Sequence, residues 1–300
     1  MTTVNSPRIE AEEVLDRDEL NGGLDEIAQR LWRRAVRSGT WDPAAIDFTE
    51  DRKHYVALDP DRRAYLDRFA AAFFRAEATV ARVFGPWVMA APTFSQQAFL
   101  SSQLFEEYKH TDFFEIAFRD VFGHEPDQAL ANPVHEPLPE RGERLLALLD
   151  RPGPERDAAW VEAVAHYQGV VEGVQANAGY QIFRRVFADK GLFPGLSEGY
   201  ANIQRDEGRH VGFGIAVLRH HAAADRRLAE RIRAVFAEYL PSILARYGQS
   251  IVVDGREVPP PPEERGPEQL VELYNRRLRD IFGPDVAQVA VPSAVSGGTR

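Results

Sequence analysis

The sequence predicts an all-α protein of bundle type. Apolar residues recur at intervals of three and four over stretches of many helical turns, and no segment shows the alternation typical of a β-strand. Long helices joined by short turns bury their apolar faces against one another as a bundle. We therefore expect one helical domain at residues 26–282, after a loose acidic lead-in at 1–25 and before a disordered tail at 283–300.

Seven helices follow from the periodicity and its breaks. Turn and cap signals fill 40–55, including Asp42-Pro43, and Gly85-Pro86 ends the first helix. Pro241 can kink the sixth helix, and the proline-rich segment 254–267 is expected to be extended. The predicted helices lie at about 60–84, 95–122, 140–150, 156–189, 195–222, 226–248 and 268–282.

Composition excludes several classes of protein. The 300-residue chain has a formal net charge of −10, which argues against the basic face that nucleic-acid binding requires. It has no cysteine, so a disulfide framework and a thiolate metal site are both excluded. The N-terminal segment lacks the apolar core of a secretory signal, and no apolar run is long enough for a membrane span. We expect a cytoplasmic protein.

Two of the predicted helices carry the same Glu-x-x-His motif. Glu107 and His110 lie in LFEEYKHTDFF, and Glu207 and His210 lie in IQRDEGRHVGFG. Residues three apart lie about 60° apart around an α-helix and about 4.5 Å apart along it, so each pair shares a face. Each pair can therefore offer a carboxylate oxygen and an imidazole nitrogen to one ion.

Two further helices each carry one glutamate among apolar neighbours, Glu77 and Glu172. An inward glutamate is costly unless it is paired or bound to metal. A dimetal site in a helical bundle combines two Glu-x-x-His helices with one glutamate from each of two others. Oxygen and imidazole ligands suit iron or manganese, and four carboxylates balance two divalent cations. The predicted ligands are Glu77, Glu107, His110, Glu172, Glu207 and His210.

The other polar residues near these motifs are expected to play no part as ligands. Glu106 lies about 100° around the helix from Glu107, which predicts a solvated side chain. Lys109 and Arg209 are expected to face outward or to pair with acids. The histidines without a matching glutamate are His54, His124, His135, His166, His220 and His221.

Across roughly 40–245 the pattern resembles the ferritin-like dimetal carboxylate superfamily. Within it, the chain resembles the small subunit of class I ribonucleotide reductase and, more closely, the R2-like ligand-binding oxidases. The segments WDPAAIDF, FEEYKH, YQGVVEG and RDEGRH are similar to family segments. Glu77 stands where the common tyrosyl-radical subunits have aspartate, and Phe114 stands where they have the radical tyrosine. That radical cannot form in this chain.

The resemblance adds four residues to the predicted site. Val80 and Tyr167 match a pair that becomes joined by a tyrosine–valine ether cross-link in the ligand-binding oxidases, and Tyr180 matches a further tyrosine of that family. Asp206 resembles the aspartate that orients a ligand histidine, here His110. Spacing does not support Tyr167 independently, because in an α-helix it lies about 140° around the axis from Glu172. From the residues alone, Tyr167 is equally well a core tyrosine.

The resemblance implies an oxidase that activates O2 to oxidise C–H bonds. It implies manganese at Glu77, Glu107 and His110 and iron at the second set of ligands, although the residues leave a pair of iron ions equally open. It further implies a bound long-chain fatty acid or similar amphipathic ligand, a homodimer, and an unidentified electron donor.

Three other functions stay open at this point. One is a tyrosine-free ribonucleotide reductase small subunit, which the C-terminus disfavours because no aromatic residue follows Phe282. Another is a dimetal oxygenase of a biosynthetic pathway, in which Tyr167 would be incidental. The last is a protein without enzymatic activity, either for metal storage or as a metal-free structural bundle. The metal-free bundle is disfavoured because its four inward carboxylates would lack partners.

Overall fold

The computed structural model describes residues 7–10, 17–126, 132–253, 255–264 and 266–290. Within these ranges the chain is predominantly helical, and the predicted helical-bundle class is confirmed. The α-helices are α1 (Leu24–Ser38), α2 (Thr49–Ala57), α3 (Pro60–Val83), α4 (Gly85–Ala90), α5 (Phe94–Ala117), α6 (Leu138–Ala147), α7 (Pro154–Val164), α8 (Asn177–Val186), α9 (Pro194–Ala224), α10 (Arg226–Leu244) and α11 (Pro267–Phe282). Short 3₁₀ turns lie at Arg17–Leu20, Pro43–Ala45 and Ala188–Lys190, and π-helices at Phe118–Phe122 and Ala165–Ala176.

Four long helices form the centre of the bundle. They are α3, α5, α9 and the continuous helix made of α7, the π-helix at Ala165–Ala176, and α8. Helix α1 packs across α5 and α9, while α10 and α11 cover α9 and the π-helix from the other side. This arrangement surrounds the middle of the four helices with protein, so that polar groups there are removed from water.

The long helices begin at conventional caps. Asp59 accepts hydrogen bonds from the backbone of Asp61 and Arg62 at the start of α3, where Pro60 occupies the first helical position. Helix α9 is capped from a distance, because both carboxylate oxygens of Asp51 on α2 accept hydrogen bonds from its first backbone N–H groups. These caps fix where α3 and α9 begin and therefore how deep their glutamates lie.

One β-hairpin corrects the expectation of a chain without strands. Strand β1 (Ile251–Val253) pairs antiparallel with β2 (Arg256–Val258), with Ile251 opposite Val258. Strands of three residues are too short to produce a visible alternation. The local signal was the Asp-Gly dipeptide at 254–255, which favours a tight hairpin turn, and Gly255 has the positive φ of +76° that such a turn uses.

The ends of the chain are more closely packed than predicted where the structure describes them. Ile9 and Leu20, both within the predicted lead-in, are buried in the core. Val289, in the predicted tail, makes two backbone hydrogen bonds with the side chain of Asn275 on α11. Residues 1–6, 11–16 and 291–300 lie outside the described residues, so the domain boundaries stay predictions. None of the described helices has the length and apolar character needed to cross a membrane.

Candidate metal centre

Two overlapping groups of buried acids and histidines meet at the centre of the four-helix core. The first consists of Glu77, Glu107, His110 and Glu207, and the second of Glu107, Glu172, Glu207 and His210. Within each group, one ligand atom from every residue lies within 4.8 Å of the others. The structure thus brings all six predicted ligands together. It also adds what spacing did not predict, namely that Glu107 and Glu207 belong to both groups and can bridge two ions.

Both histidines direct Nδ1 towards the carboxylates. Nδ1 of His110 lies 3.4 Å from Oε2 of Glu77, and Nδ1 of His210 lies 3.3 Å from Oε1 of Glu107. Neither Nδ1 atom has a hydrogen-bond partner among the described residues. Buried polar atoms of this kind need a partner, and a metal ion between them would supply it. The donor set of carboxylates and imidazoles therefore fits two iron or manganese ions.

The electrostatics of the cluster point to the same conclusion. Burial raises the pKa of Glu77 to about 8, that of Glu172 to about 7 and that of Glu207 to about 8, and neighbouring carboxylates add to the shift. Burial also opposes ionisation of Glu107, but its close contacts with the two histidine rings outweigh burial and hold the pKa of Glu107 below its usual range. At neutral pH, Glu77 and Glu207 would therefore be mostly protonated and Glu172 partly so, and the charge of bound metal could replace these protons.

Asp206 lies behind the first histidine. Its Oδ2 is 3.2 Å from Nε2 of His110, and the same oxygen accepts a hydrogen bond of 2.8 Å from the indole N–H of Trp41. Lys109 forms an ion pair of 2.9 Å with it, and Trp41 also stacks on the His110 ring. A carboxylate on the far nitrogen fixes the orientation of a ligand histidine. Trp41, which the sequence analysis did not single out, thereby becomes part of the site.

Glu106 lies behind the second histidine, and the prediction that it is solvated is wrong. Its side chain is buried, its Oε2 lies 2.8 Å from Nε2 of His210, and its other oxygen pairs with Arg209. The neighbour that makes this side of α5 internal is α1, which ends against it at Gly39. Helix angles relative to Glu107 could not reveal that a further helix covers this face. Lys109 and Arg209 pair with acids, one of the two outcomes expected for them.

Tyr167 reaches the site because its helix changes hydrogen-bonding pattern. Ala165–Ala176 form a π-helix, in which backbone hydrogen bonds join residues five apart, so Tyr167 and Glu172 lie on nearly the same face. The Tyr167 hydroxyl donates a hydrogen bond of 2.7 Å to Oε1 of Glu107. The expectation from α-helical spacing, that Tyr167 points away from the site, is wrong. π-Helices are often found at functional sites.

Side chains outside the π-helix satisfy its backbone. The buried guanidinium of Arg277, on α11, donates a hydrogen bond of 3.0 Å from Nε to the carbonyl of Gly173 and forms an ion pair with Asp280. Asn177 donates to the carbonyl of Glu172. A Cβ at Gly173 would approach the Arg277 side chain to 3.1 Å, so the glycine leaves room for this contact. Helix α11 therefore holds the π-helix in place.

Val80 lines the cavity at the site, whereas Tyr180 is buried in the aromatic core. Val80 lines the same cavity as Tyr167, and both belong to one core cluster. Tyr180 is fully buried against Phe73, and its hydroxyl has no hydrogen-bond partner among the described residues. Burial raises its pKa well above the usual value, so it is a neutral phenol. Phe114 is a buried core aromatic.

A cavity of about 650 Å³ leads from this cluster to the surface. Its inner end is lined by Glu77 and Glu172 with their bridging neighbours, and its outer end by the exposed side chain of Arg68. Along α3 the lining follows one face from Glu77 through Phe73 and Phe69 to Tyr65, at intervals of four residues. The cavity has the size of a small-molecule site, for which volumes of about 300–1,000 Å³ are usual.

The fold and the two clusters define a ferritin-like helical protein with a buried dinuclear carboxylate–histidine site. The family model described as "Ribonucleotide reductase, small chain" matches residues 20–241. The chain therefore belongs to the ribonucleotide reductase small chain family. The α11 helix that holds the π-helix lies beyond the matched residues.

Solved structures of R2-like ligand-binding oxidase resemble this chain, as the sequence analysis predicted. One is a single-residue variant with an anaerobically reconstituted Mn/Fe cofactor, 25% identical, with a TM-score of 0.73 over 86% of this chain and 94% of that one. Another variant, with an aerobically reconstituted Mn/Fe cofactor, is 29% identical, with a TM-score of 0.67 over 73% of this chain and 78% of the other.

Proposed function

We propose that this protein is an O2-activating dimetal oxidase that holds manganese and iron, binds a long-chain fatty acid or similar amphipathic ligand, and oxidises C–H bonds. The observation that carries the proposal is the pair of metal-ligand groups sharing Glu107 and Glu207 at the inner end of a cavity with an apolar stretch of wall. The similarity to R2-like ligand-binding oxidases with Mn/Fe cofactors supports the choice of metals. When bound, the two metals supply the redox chemistry that activates dioxygen.

In the proposed reaction, the residues of the chain bind, orient and shield. Glu77 and His110 would hold one ion, Glu172 and His210 the other, and the shared glutamates would bridge them. The buried setting excludes bulk water from the reacting C–H bond, which prevents side reactions. The apolar faces of Phe69 and Phe73 would hold the alkyl chain.

We also propose the Tyr167–Val80 ether cross-link. Its formation removes the hydroxyl proton of Tyr167 and a hydrogen of a Val80 C–H bond, joins oxygen to carbon, and transfers two electrons to the dioxygen chemistry of the site. The hydrogen bond from Tyr167 to Oε1 of Glu107 supports this assignment, because it holds the phenolic oxygen beside a predicted metal ligand. Both side chains also line one cavity.

The test is the intact mass of the protein after anaerobic loading with Mn(II) and Fe(II) and exposure to air. We expect a loss of two hydrogens, mapped by peptide analysis to the segments with Val80 and Tyr167. Tyr167→Phe should abolish the loss, whereas Tyr180→Phe, equally buried, should retain it. An unchanged wild-type mass with both metals bound would favour a tyrosine-free reductase subunit or a pathway oxygenase instead.

The proposed homodimer has a candidate surface on α1 and α5. Phe105 and Tyr108 on α5 are 62% and 56% exposed, and Trp32 and Val36 on α1 are also exposed. Exposed apolar side chains gathered on packed neighbouring helices are typical of an association surface. Sedimentation of the wild type should give a dimer, and the double variant Phe105→Asp, Tyr108→Asp should give a monomer.

An external electron donor would contact the partly exposed ring of Trp41, whose indole N–H donates a hydrogen bond to Asp206.

A further inference from the structure

Two buried polar side chains that are not predicted metal ligands line the cavity. His135 is 5% exposed and Gln175 is 9% exposed, and both line the cavity. Both ring nitrogens of His135 and the side-chain oxygen of Gln175 lack a hydrogen-bond partner among the described residues. Leaving such atoms unsatisfied is costly, so they point to a polar group that the cavity is built to receive.

The chemistry of these side chains shows which groups they can bind. Burial, followed by the charges of His166 and Arg246, lowers the pKa of His135 to about 3, so its ring is neutral and offers one N–H donor and one acceptor. The amide of Gln175 can present either its oxygen or its NH2 group, since the two are distinguished only by their partners.

Two arginines and one glutamate, Glu264, line the same cavity away from the metal ligands. Arg246 and Arg68 both line it, and they lie close enough that Arg68, in addition to burial, depresses the pKa of Arg246. The two guanidinium groups outnumber the single carboxylate of Glu264, so this part of the cavity favours an anionic group. The cavity therefore has three parts: an acidic inner end, an apolar stretch of wall, and an outer end that carries arginine side chains.

The polar groups lie at a defined depth. Arg68 precedes Glu77 by nine residues on α3, which corresponds to about 13 Å along the helix. Gln175 follows Glu172 by three residues, and the hydroxyl of Tyr247, the residue after Arg246, donates to its backbone carbonyl. The apolar rings of Phe69 and Phe73 line the stretch between the two ends.

We propose that the cavity binds an amphipathic ligand with polar groups at both ends, whose outer end is an acidic group, carboxylate or phosphate, held by His135, Gln175 and Arg246. This inference rests on the proposed function for the inner end, where the ligand meets the dimetal site. A simple fatty acid with its carboxylate at the metals would place its methyl end against these polar groups and leave them unsatisfied. A ligand with a second acidic end provides a partner for the metal site and for the polar side chains at the outer end.

Calorimetric titration of the anaerobic Mn(II)- and Fe(II)-loaded protein tests the proposal. The probes are saturated monocarboxylic acids and α,ω-dicarboxylic acids in a series of matched chain lengths, with ω-phosphate analogues to separate carboxylate from phosphate. At the best length we expect the doubly acidic ligand to bind about tenfold tighter, the gain typical of a hydrogen bond to a charged group. Arg246→Met and His135→Leu should reduce that preference to about twofold or less while keeping the affinity for the monocarboxylic acid.

Matched controls are Arg226→Met, an arginine on the surface of α10, and His220→Leu, an exposed histidine. Both should keep the wild-type preference. Equal affinity of the wild type for both kinds of acid at every length, or an unchanged preference in both cavity variants, would overturn the acidic outer site and leave the fatty-acid proposal standing. If neither kind of acid binds, the ligand of the proposed function fails as well, whereas its dimetal part is judged separately by metal content.

Discussion

Oε2 of Glu106 on α5 lies 2.8 Å from Nε2 of His210 on α9. The reverse relationship holds between Asp206 on α9 and His110 on α5, at 3.2 Å. Each of the two helices therefore supplies the acid that orients the histidine of the other helix. In both helices this acid directly precedes the shared glutamate of the motif. Arg209 contacts both acids and ties the two relationships together. The two motifs work as one unit, in which neither helix can shift without misplacing the ligand on its partner.

This relationship predicts that Glu106→Gln weakens metal binding. Glu106 is not itself a predicted ligand, and it acts by holding the ligand His210. Loss of the charge that holds a ligand histidine typically costs about 10–100-fold in metal affinity. Competition with a chelator should show that loss for one of the two ions, while the other changes less. Glu115→Gln, on the exposed face of α5, is the matched control and should bind both ions as the wild type does. Equal affinities in the two variants would contradict the orienting role.

The shared glutamates predict two classes of metal-site variant. Glu107→Ala should lose both metals, because Glu107 belongs to both groups, whereas Glu77→Ala and Glu172→Ala should each retain one. Metal content after loading and desalting, measured by elemental analysis, distinguishes the classes. Glu115→Ala should retain two metals per chain. Full occupancy in Glu172→Ala would show that the π-helix does not supply a ligand.

Arg277 is expected to stabilise the π-helix that carries Tyr167 and Glu172. Arg277→Met would remove the donor to the Gly173 carbonyl and the ion pair with Asp280, both in the interior. Breaking a buried ion pair costs about 3–5 kcal/mol, so the free energy of unfolding in urea should fall by about 3 kcal/mol. Arg279→Met, on the exposed face of α11, should change it little. If Arg277→Met also lowers the yield of the Tyr167 cross-link in the folded fraction, its role extends to positioning.

The raised pKa values predict how the stability of the metal-free protein depends on pH. Because Glu77, Glu172 and Glu207 have pKa values of about 8, 7 and 8, the folded state binds more protons than the unfolded chain between about pH 5 and 8. Its stability should therefore fall as the pH rises through this window. Metal binding displaces the same protons, so the stabilisation by Mn(II) and Fe(II) should grow with pH.

Thermal unfolding of metal-free and metal-loaded protein between about pH 5.5 and 8 checks this expectation. The melting temperature of the metal-free protein should fall with rising pH, and the gap between the two forms should widen. A metal-free protein that becomes more stable towards pH 8 would show that the cluster is already neutralised by other means. Glu77→Gln removes one of the raised carboxyls and should flatten the dependence.

Local pattern alone was sufficient for the helices from α3 onwards, except the short α4, and for the six inward acids and histidines, whereas α1 and α2 were not predicted. The repetition of Glu-x-x-His and the apolar neighbours of Glu77 and Glu172 depend on helical periodicity, which is a property of adjacent residues. The same reasoning failed for the β-hairpin, whose strands are too short to show a period, and for Glu106, whose burial depends on α1.

The sequence by itself therefore determined the class of the fold, the acid and histidine set of the site, and the kind of metal that such a set suits. Only the tertiary structure decided that Glu107 and Glu207 are shared, that Glu106 contacts His210, and that Tyr167 faces Glu107. The contact of Asp206 with His110 was expected from the family resemblance. The physical reason is that these relationships lie between helices. The π-helix brings Tyr167 to the site, and Arg277, a hundred residues along the chain, supplies the hydrogen bond that its altered backbone requires.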